Sequence, residues 1–356
     1  MEDKSSDESK RLFLVNEFFA RNSRDPNSIV SMGVEGMDDA ALIRISDREL
    51  LAVASDFVRG SGFTLFRLGY LSYFDVGYYL IIANISDIAA MGARPIAATT
   101  IVRYTNKLTD GDFLQILGGI QTAANLYNIE IIGGDIGSYT ADVFSATVMG
   151  IVKSDEVLLR QNVKDKDVLC VTGSIGLPIT ALIYFQEARH RGLHFSTEIE
   201  ELLLDSWRRP RAKVKEGLLL SERSIAHGCQ DISDGLKATI DQMSKASGKT
   251  FTLEAERLPI NRATYRVAEF LQVDPIHLAL SASVDFELLF TMAETDLERA
   301  TKLFKEHGCF FHPIGIVNQE RENLLLEEGK KKRPLPGFAW NHQSGEFLKS
   351  ILVKNA

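Results

Sequence analysis

The chain has 356 residues, 45% of them apolar and 25% charged, with a formal net charge of -8. That is the make-up of a globular protein with room for two domains. The negative balance argues against a nucleic-acid partner, whose phosphate backbone calls for clustered Lys and Arg. The one basic run, Lys330-Lys331-Lys332-Arg333, reads as a solvated loop. Cys170, Cys229 and Cys309 are too far apart for a Cys-x-x-Cys metal knuckle and odd in number, so they read as small buried apolar residues. The polar first ten residues carry no signal-peptide stretch, and no apolar window reaches the roughly 18 residues of a membrane span. A cytoplasmic protein with no membrane partner is expected.

In chain order, Leu12, Leu14, Val15, Phe18 and Phe19 recur with helical spacing, which predicts an amphipathic helix over 10–22. Strands follow over 40–45 and 50–56, then a long, largely buried helix over 74–92 that carries Asn84, Ser86 and Asp87. A strand over 95–103, a helix over 110–127 and strands over 129–133 and 143–152 complete a first α/β unit. The polar stretch 153–166 reads as a boundary. Beyond it come a strand over 168–172, a Gly turn, and helices over 177–190, 198–207 and 213–226. A helix over 235–247, strands over 250–255 and 285–291, a helix over 296–307 and a strand over 312–317 make a second unit. The division is therefore 1–27 for a polar tail and helix, 28–153 for the first domain and 154–356 for the second. Ile85-Ser86-Asp87 in the first half is echoed by Ile232-Ser233-Asp234 in the second.

The informative feature is a set of aspartates in five segments that carry Gly or Ser and lie beside apolar runs: Asp38 and Asp39, Asp56, Asp87, Asp135, Asp231 and Asp234. One such acid is most simply a turn or N-cap residue. So many at the ends of apolar stretches would repel one another in a folded interior, unless hard divalent cations such as Mg²⁺ sat among their oxygens. Asp231 and Asp234, three apart at a helix start, can face one side of the first turn. The set therefore reads as a metal–nucleotide site.

Competing motifs fail on inspection. Gly248-Lys249-Thr250 resembles the end of a P-loop, but Met243 stands where the motif needs its first Gly. His190 and His194 have zinc-helix spacing, yet Arg191 replaces the catalytic Glu and Gly192 lies between them. No Gly-x-Ser-x-Gly elbow is present. Phosphoryl transfer manages without a protein nucleophile, because positioning and charge neutralisation supply most of its catalysis.

Taken in order, the segments from about residue 10 to Phe338 resemble the thiamine-monophosphate kinase family. That family lies within the aminoimidazole-ribotide synthetase-like (PurM-like) superfamily, which includes selenophosphate synthetase and a hydrogenase-maturation dehydratase. The resemblance is carried by Gly36-Met37-Asp38-Asp39-Ala40, Ser55-Asp56, Asn84-Ile85-Ser86-Asp87, Gly133-Gly134-Asp135, Arg160, Thr172-Gly173-Ser174-Ile175-Gly176, Asp231-Ile232-Ser233-Asp234-Gly235 and Asp285-Phe286-Glu287. It implies an α/β (α+β) fold of two domains, the N-terminal ones closing a β-barrel in a homodimer and the C-terminal one α/β. It also implies an ATP- and Mg²⁺-dependent kinase that passes the γ-phosphate to a phosphate or similar oxygen of a small-molecule acceptor. Asp39, Ser55, Asp56, Asp87, Asp135, Asp231 and Asp234 would hold magnesium, with Asp39, Asp87, Asp135 and Asp234 at the reaction centre. Gly134, Asp135, Arg160 and Ser233 would contact ATP.

The departures from the family pattern fall on the acceptor side. Gly62 stands where the family has a substrate-contacting His, and Val284 where it has an acid near thiamine; Phe338 keeps an acceptor-side position. The acceptor is accordingly open, with thiamine monophosphate one candidate. Two other functions compete: a synthetase of the same superfamily that activates a carbonyl or amide oxygen, and a non-catalytic nucleotide-binding dimer. The sequence disfavours two such synthetases, since the chain ends Lys354-Asn355-Ala356 without a terminal Cys and its first Cys is Cys170.

Overall fold

The computed structural model describes residues 28–338 apart from Arg59, Gly329 and Lys330, together with Arg11, Leu14, Val15 and 17–19 of the preceding segment. Those few residues are helical; the rest of the helix expected over 10–22 lies outside the described residues.

The first sheet is built from β1 (Val30–Met32), β2 (Ala41–Arg44), β3 (Glu49–Val58), β4 (Arg94–Tyr104), β5 (Glu130–Ser138) and β6 (Val143–Lys153), in the order β1-β2-β3-β6-β4-β5. All pairs are antiparallel except β4 with β5. Alternate residues of β3 and β6, among them Ala52, Ala54, Ala146 and Val148, are buried, and their neighbours are not. That period of two means one covered face and one open face. The covered face carries the helices Tyr73–Ala90 and Asp110–Leu126, each started by a capping box: Ser72 with Asp75, and Thr109 with Asp112. The two helices meet closely at glycines. A Cβ on Gly77 would lie 2.3 Å from the Ile116 carbonyl oxygen and one on Gly119 2.0 Å from that of Phe74, so neither position accepts a side chain.

The second sheet comprises β7 (Val168–Val171), β8 (Cys229–Asp231), β9 (Thr250–Glu254), β10 (Leu288–Met292), β11 (His312–Asn318), β12 (Leu324–Glu327) and β13 (Lys331–Pro334), ordered β13-β12-β9-β11-β7-β10-β8. The helix Tyr73–Ala90 is buried along nearly its whole length because both halves pack on it. Gly217 of the helix Val214–Glu222 abuts the Ala89 carbonyl oxygen, and the Leu158 N–H donates to Met91 O at 3.1 Å.

Several expectations need correction. Asp135 is not at a turn: β5 runs on through Gly133-Gly134-Asp135 to Ser138. The reason is local, since a Cβ on Gly134 would fall 1.7 Å from Thr100 O, and only glycine lets β5 lie so close to β4. The basic run is not a loop where it is described. Lys331–Pro334 is an edge strand, with Lys332 paired to Glu320 and Arg333 to Glu327 and Asp274. The helix expected over 177–190 is α only through Ile183 and continues as a π turn, Tyr184–Ala188. Strand β8, the helices Arg262–Leu271 and Pro275–Leu280 and the β12–β13 hairpin went unforeseen. Among the described residues of a single chain the first sheet is open, with β1 and β5 as its edges; the expected barrel is one that two subunits would close. The three cysteines are buried thiols, as expected.

Candidate functional site

Three expected acids arrive from three different elements. Asp39 lies just before β2, Asp87 near the C-terminal end of the helix Tyr73–Ala90, and Asp231 at the last position of β8. One carboxylate oxygen from each lies within 4.8 Å of the others. Asp231 is almost wholly enclosed, at 1% exposure. Its carboxylate accepts from Ser86 Oγ at 2.6 Å and from Ser233 Oγ at 3.2 Å, so the two Ser residues of the repeated Ile-Ser-Asp motif grip one acid between them.

Burial is the main force on these groups, and mutual repulsion adds to it. It lifts Asp87 well above the usual carboxylate range, helped by Asp231, Asp39 and Asp56. Asp231 is pushed up to about 7 by burial and then by Asp39, against the Ser86 hydrogen bond and the Arg160 charge. Burial raises Asp39 too, while Arg160 opposes it. Arg160 reaches across the chain: its N–H donates to Asp38 Oδ2 at 3.0 Å and its Nη1 to Met37 O at 2.9 Å, while its Nη2 pairs with Asp39.

Asp56 follows the covered face of β3, where its backbone N–H donates to Asn84 Oδ1 at 2.9 Å. It lies electrostatically close to Asp87, and Asp56, Asp234 and Asp231 together raise the already buried Tyr79 phenol further. Five of the expected acids thus gather at the junction of the two halves: Asp39, Asp87 and Asp231 in a tight triangle, with Asp56 and Asp234 beside it.

Ser55 and Asp135 are placed elsewhere. In register, Phe57, Ser145, Ile101 and Asp135 form one cross-strand row, and Ser55, Thr147 and Thr99 another. Cross-strand partners point to the same side of a sheet, and successive residues to opposite sides. Ser55 and Asp135 therefore lie on the open face, away from Asp56. There Ser55 Oγ meets Thr147 Oγ1 at 3.0 Å and Asp135 pairs with Arg103. Phe57 and Ile101 of this face are 54% and 44% exposed. Gly134 sits on the exposed edge strand beside Asp135.

Of the positions expected on the acceptor side, Gly62 leads into a group of aromatic rings. Gly62 ends the short turn Gly60–Gly62, and the following Phe63 ring stands 5.2 Å from Tyr79 and 5.9 Å from Trp207. Phe286 adjoins Tyr79 at 5.3 Å, and Val284 and Phe338 pack partly buried against the same core. Periodicity could not find Phe63, Tyr79 and Trp207 as a group, because they come from three elements distant in sequence. Asp38, by contrast, stood visible in the Gly-Met-Asp-Asp motif.

The donor set fits a hard divalent cation. It consists of carboxylates that repel one another, and Asp39 Oδ2 is buried with no hydrogen-bond partner.

The AIR synthase related protein families match both halves, the N-terminal domain over residues 37–152 and the C-terminal domain over 164–326. The thiamine-monophosphate kinase of Pyrococcus abyssi (strain GE5 / Orsay) is 32% identical over 308 residues, covering 86% of this chain and 90% of that protein. Among solved structures, AaThiL complexed with AMPPCP and TMP has the same fold, with a TM-score of 0.75 at 23% identity over 94% of this chain and 96% of the other. Thiamine-monophosphate kinase from Stenotrophomonas maltophilia K279a gives a TM-score of 0.70 at 25% identity, covering 90% of this chain and 95% of its own.

Proposed function

We propose, since the chain belongs to the AIR synthase related proteins and within them to the thiamine-monophosphate kinase family, that it is an ATP-dependent phosphotransferase acting on a small phosphate-bearing acceptor. The observation that carries this reading is the convergence of Asp39, Asp87 and Asp231 at the junction of the two halves.

An acceptor phosphate is already ionised at neutral pH, so its oxygen needs no general base. The obstacle is the approach of two anions; Asp39, Asp87 and Asp231, with Asp56 and Asp234 beside them, would hold magnesium, which would supply the neutralising charge. Asp231 is oriented for that duty by Ser86 and Ser233. Arg160, fixed beside Asp39, offers a guanidinium to the nucleotide phosphates. Gly134 and Asp135, on the open face and its edge strand, would contact the nucleotide by the family resemblance alone, since the register puts them on the other side of the sheet from Asp56. The exposed Phe57 and Ile101 of the same face support a homodimer in which a second copy covers it.

On the acceptor side Gly62 leads into the Phe63–Tyr79–Trp207 group, Val284 lies two residues before Phe286, whose ring adjoins Tyr79, and Phe338 faces His277. With Val284 apolar, the acceptor need not carry a cationic ring, and thiamine monophosphate is one member of the accepted class. Calorimetric titration with Mg²⁺ and ATP, followed by an acceptor panel headed by thiamine monophosphate, tests this. The expected result is metal-dependent ATP binding and a newly phosphorylated acceptor beside ADP. Absence of nucleotide binding in the presence of Mg²⁺ ends the reading.

A further inference from the structure

Outside the acid cluster, one side chain ties together three segments that meet at the acceptor side. Asp142, just before β6, accepts from Ser61 Oγ at 3.1 Å and from the Tyr73 hydroxyl at 3.3 Å through Oδ2, and from the Thr105 N–H at 2.8 Å through Oδ1. Ser61 is the middle residue of the turn Gly60–Gly62, Tyr73 opens the helix that delivers Asp87, and Thr105 follows β4. The contact is close in the backbone as well. Gly60 has φ +52°, and a Cβ there would lie 2.8 Å from Asp142 Cβ and 3.1 Å from the Phe144 ring. The turn is thus seated on Asp142 by a hydrogen bond and by a fit that only glycine allows. The residue that leaves the turn is Phe63, whose ring faces Tyr79 and Trp207. Tyr79 in turn lies in the field of Asp56, Asp231 and Asp234.

We propose that Asp142 is a positioning residue for acceptor binding: by holding Ser61 and Tyr73 on one carboxylate oxygen it sets where Gly62 and Phe63 stand relative to the reaction centre. This rests on the reading of the acceptor side given above. Asp142 acts through the turn, by its bonds to Ser61, Tyr73 and Thr105. Near-attack geometry is sensitive to shifts of an ångström, so a loosened turn weakens acceptor binding while the acid cluster and the nucleotide side stay intact.

The test compares the full-length chain with Asp142→Ala, Asp142→Asn and Ser61→Ala. With thiamine monophosphate as the acceptor probe, Asp142→Ala raises the acceptor KM roughly tenfold and leaves the KM for ATP and the affinity for Mg²⁺ within about twofold. Asp142→Asn keeps an oxygen for the Thr105 N–H and offers its amide hydrogens to Ser61 and Tyr73, so it restores most of the loss; Ser61→Ala falls between. Equal changes in both KM values, or no change in either, overturn the proposal. Hydrogen exchange over residues 60–63 reads the same idea without an acceptor: exchange quickens in Asp142→Ala, returns in Asp142→Asn, and is unchanged in β3 and β6. Should wild-type protein transfer nothing to thiamine monophosphate, the failure belongs to the acceptor assignment, and the exchange data decide the role of Asp142. Equal exchange in all four proteins overturns it.

Discussion

The two faces of the first sheet carry the same residue types in opposite circumstances. On the covered face Asp56 lies near Asp87, and there burial and mutual repulsion make the negative charges of Asp87 and Asp231 costly. On the open face, one residue along the same strand, Ser55 shares a polar row with Thr147, and Asp135 is 60% exposed beside Arg103. An exposed ion pair of that kind contributes at most about 1 kcal/mol. On one side of the sheet an acid has other carboxylates for neighbours, and on the other it is an exposed group beside Arg103. What separates them is the two-residue period of the strand, not the amino acid.

The sharpest way to break this contrast is Asp87→Asn. It removes one charge from the triangle and should lower transfer activity by about three orders of magnitude, since metal-based charge stabilisation supplies several kcal/mol. The same change relieves repulsion, so without divalent cation the variant should melt no lower than wild type. Differential scanning calorimetry with and without Mg²⁺ checks both halves of the statement. A variant that loses stability in the absence of metal would show that the triangle is held by its own hydrogen bonds.

The open face is tested by Phe57→Asp. It places a charge in the exposed apolar row, so sedimentation should show a dimer turned into a monomer, with calorimetric Mg²⁺ binding at the inner acids preserved. An unaltered sedimentation coefficient would separate the open face from any dimer contact.

Asp285 offers a smaller, sharpening test, because it is a buried acid outside the triangle. Its Oδ1 accepts from the Gly176 N–H at 2.9 Å, and Oδ2 is buried without a partner. Burial, aided by Glu287, pushes it up to about 8 from an ordinary 3.8. The folded state then holds a proton that the unfolded state releases, so stability is full below the ordinary value and is lost as pH rises towards 8. The melting temperature should fall between pH 5 and 8, and fall less in Asp285→Asn. Mg²⁺ should leave the difference between the two proteins untouched; if Mg²⁺ abolishes it, Asp285 belongs electrostatically with the triangle.

Much of this was legible beforehand. The apolar run over 74–92 gave a buried helix, observed as Tyr73–Ala90, and β3 and β6 were found because their alternation is regular, while the three-residue β1 was not. Asp39, Asp87 and Asp231 were picked out because acids beside apolar runs need an explanation wherever they fold. The short strand β8 and the helix Pro275–Leu280 escaped, since three to six residues give too little periodicity to read. The reach of β5 past its two glycines escaped as well, because glycine signals a turn in sequence and a close strand contact only in the fold.

By itself, the order of residues determined which acids needed an explanation and that a long buried helix would carry Asp87, because local pattern and residue chemistry act over short stretches of chain. Which carboxylates meet was decided by the tertiary structure alone. Ser86 reaches Asp231 across 145 residues and Arg160 reaches Asp39 across 121. Distances of that kind are set by how the two halves pack on the helix Tyr73–Ala90, and the side of the sheet on which each acid falls is set by strand register. Neither is encoded in any short segment of the sequence.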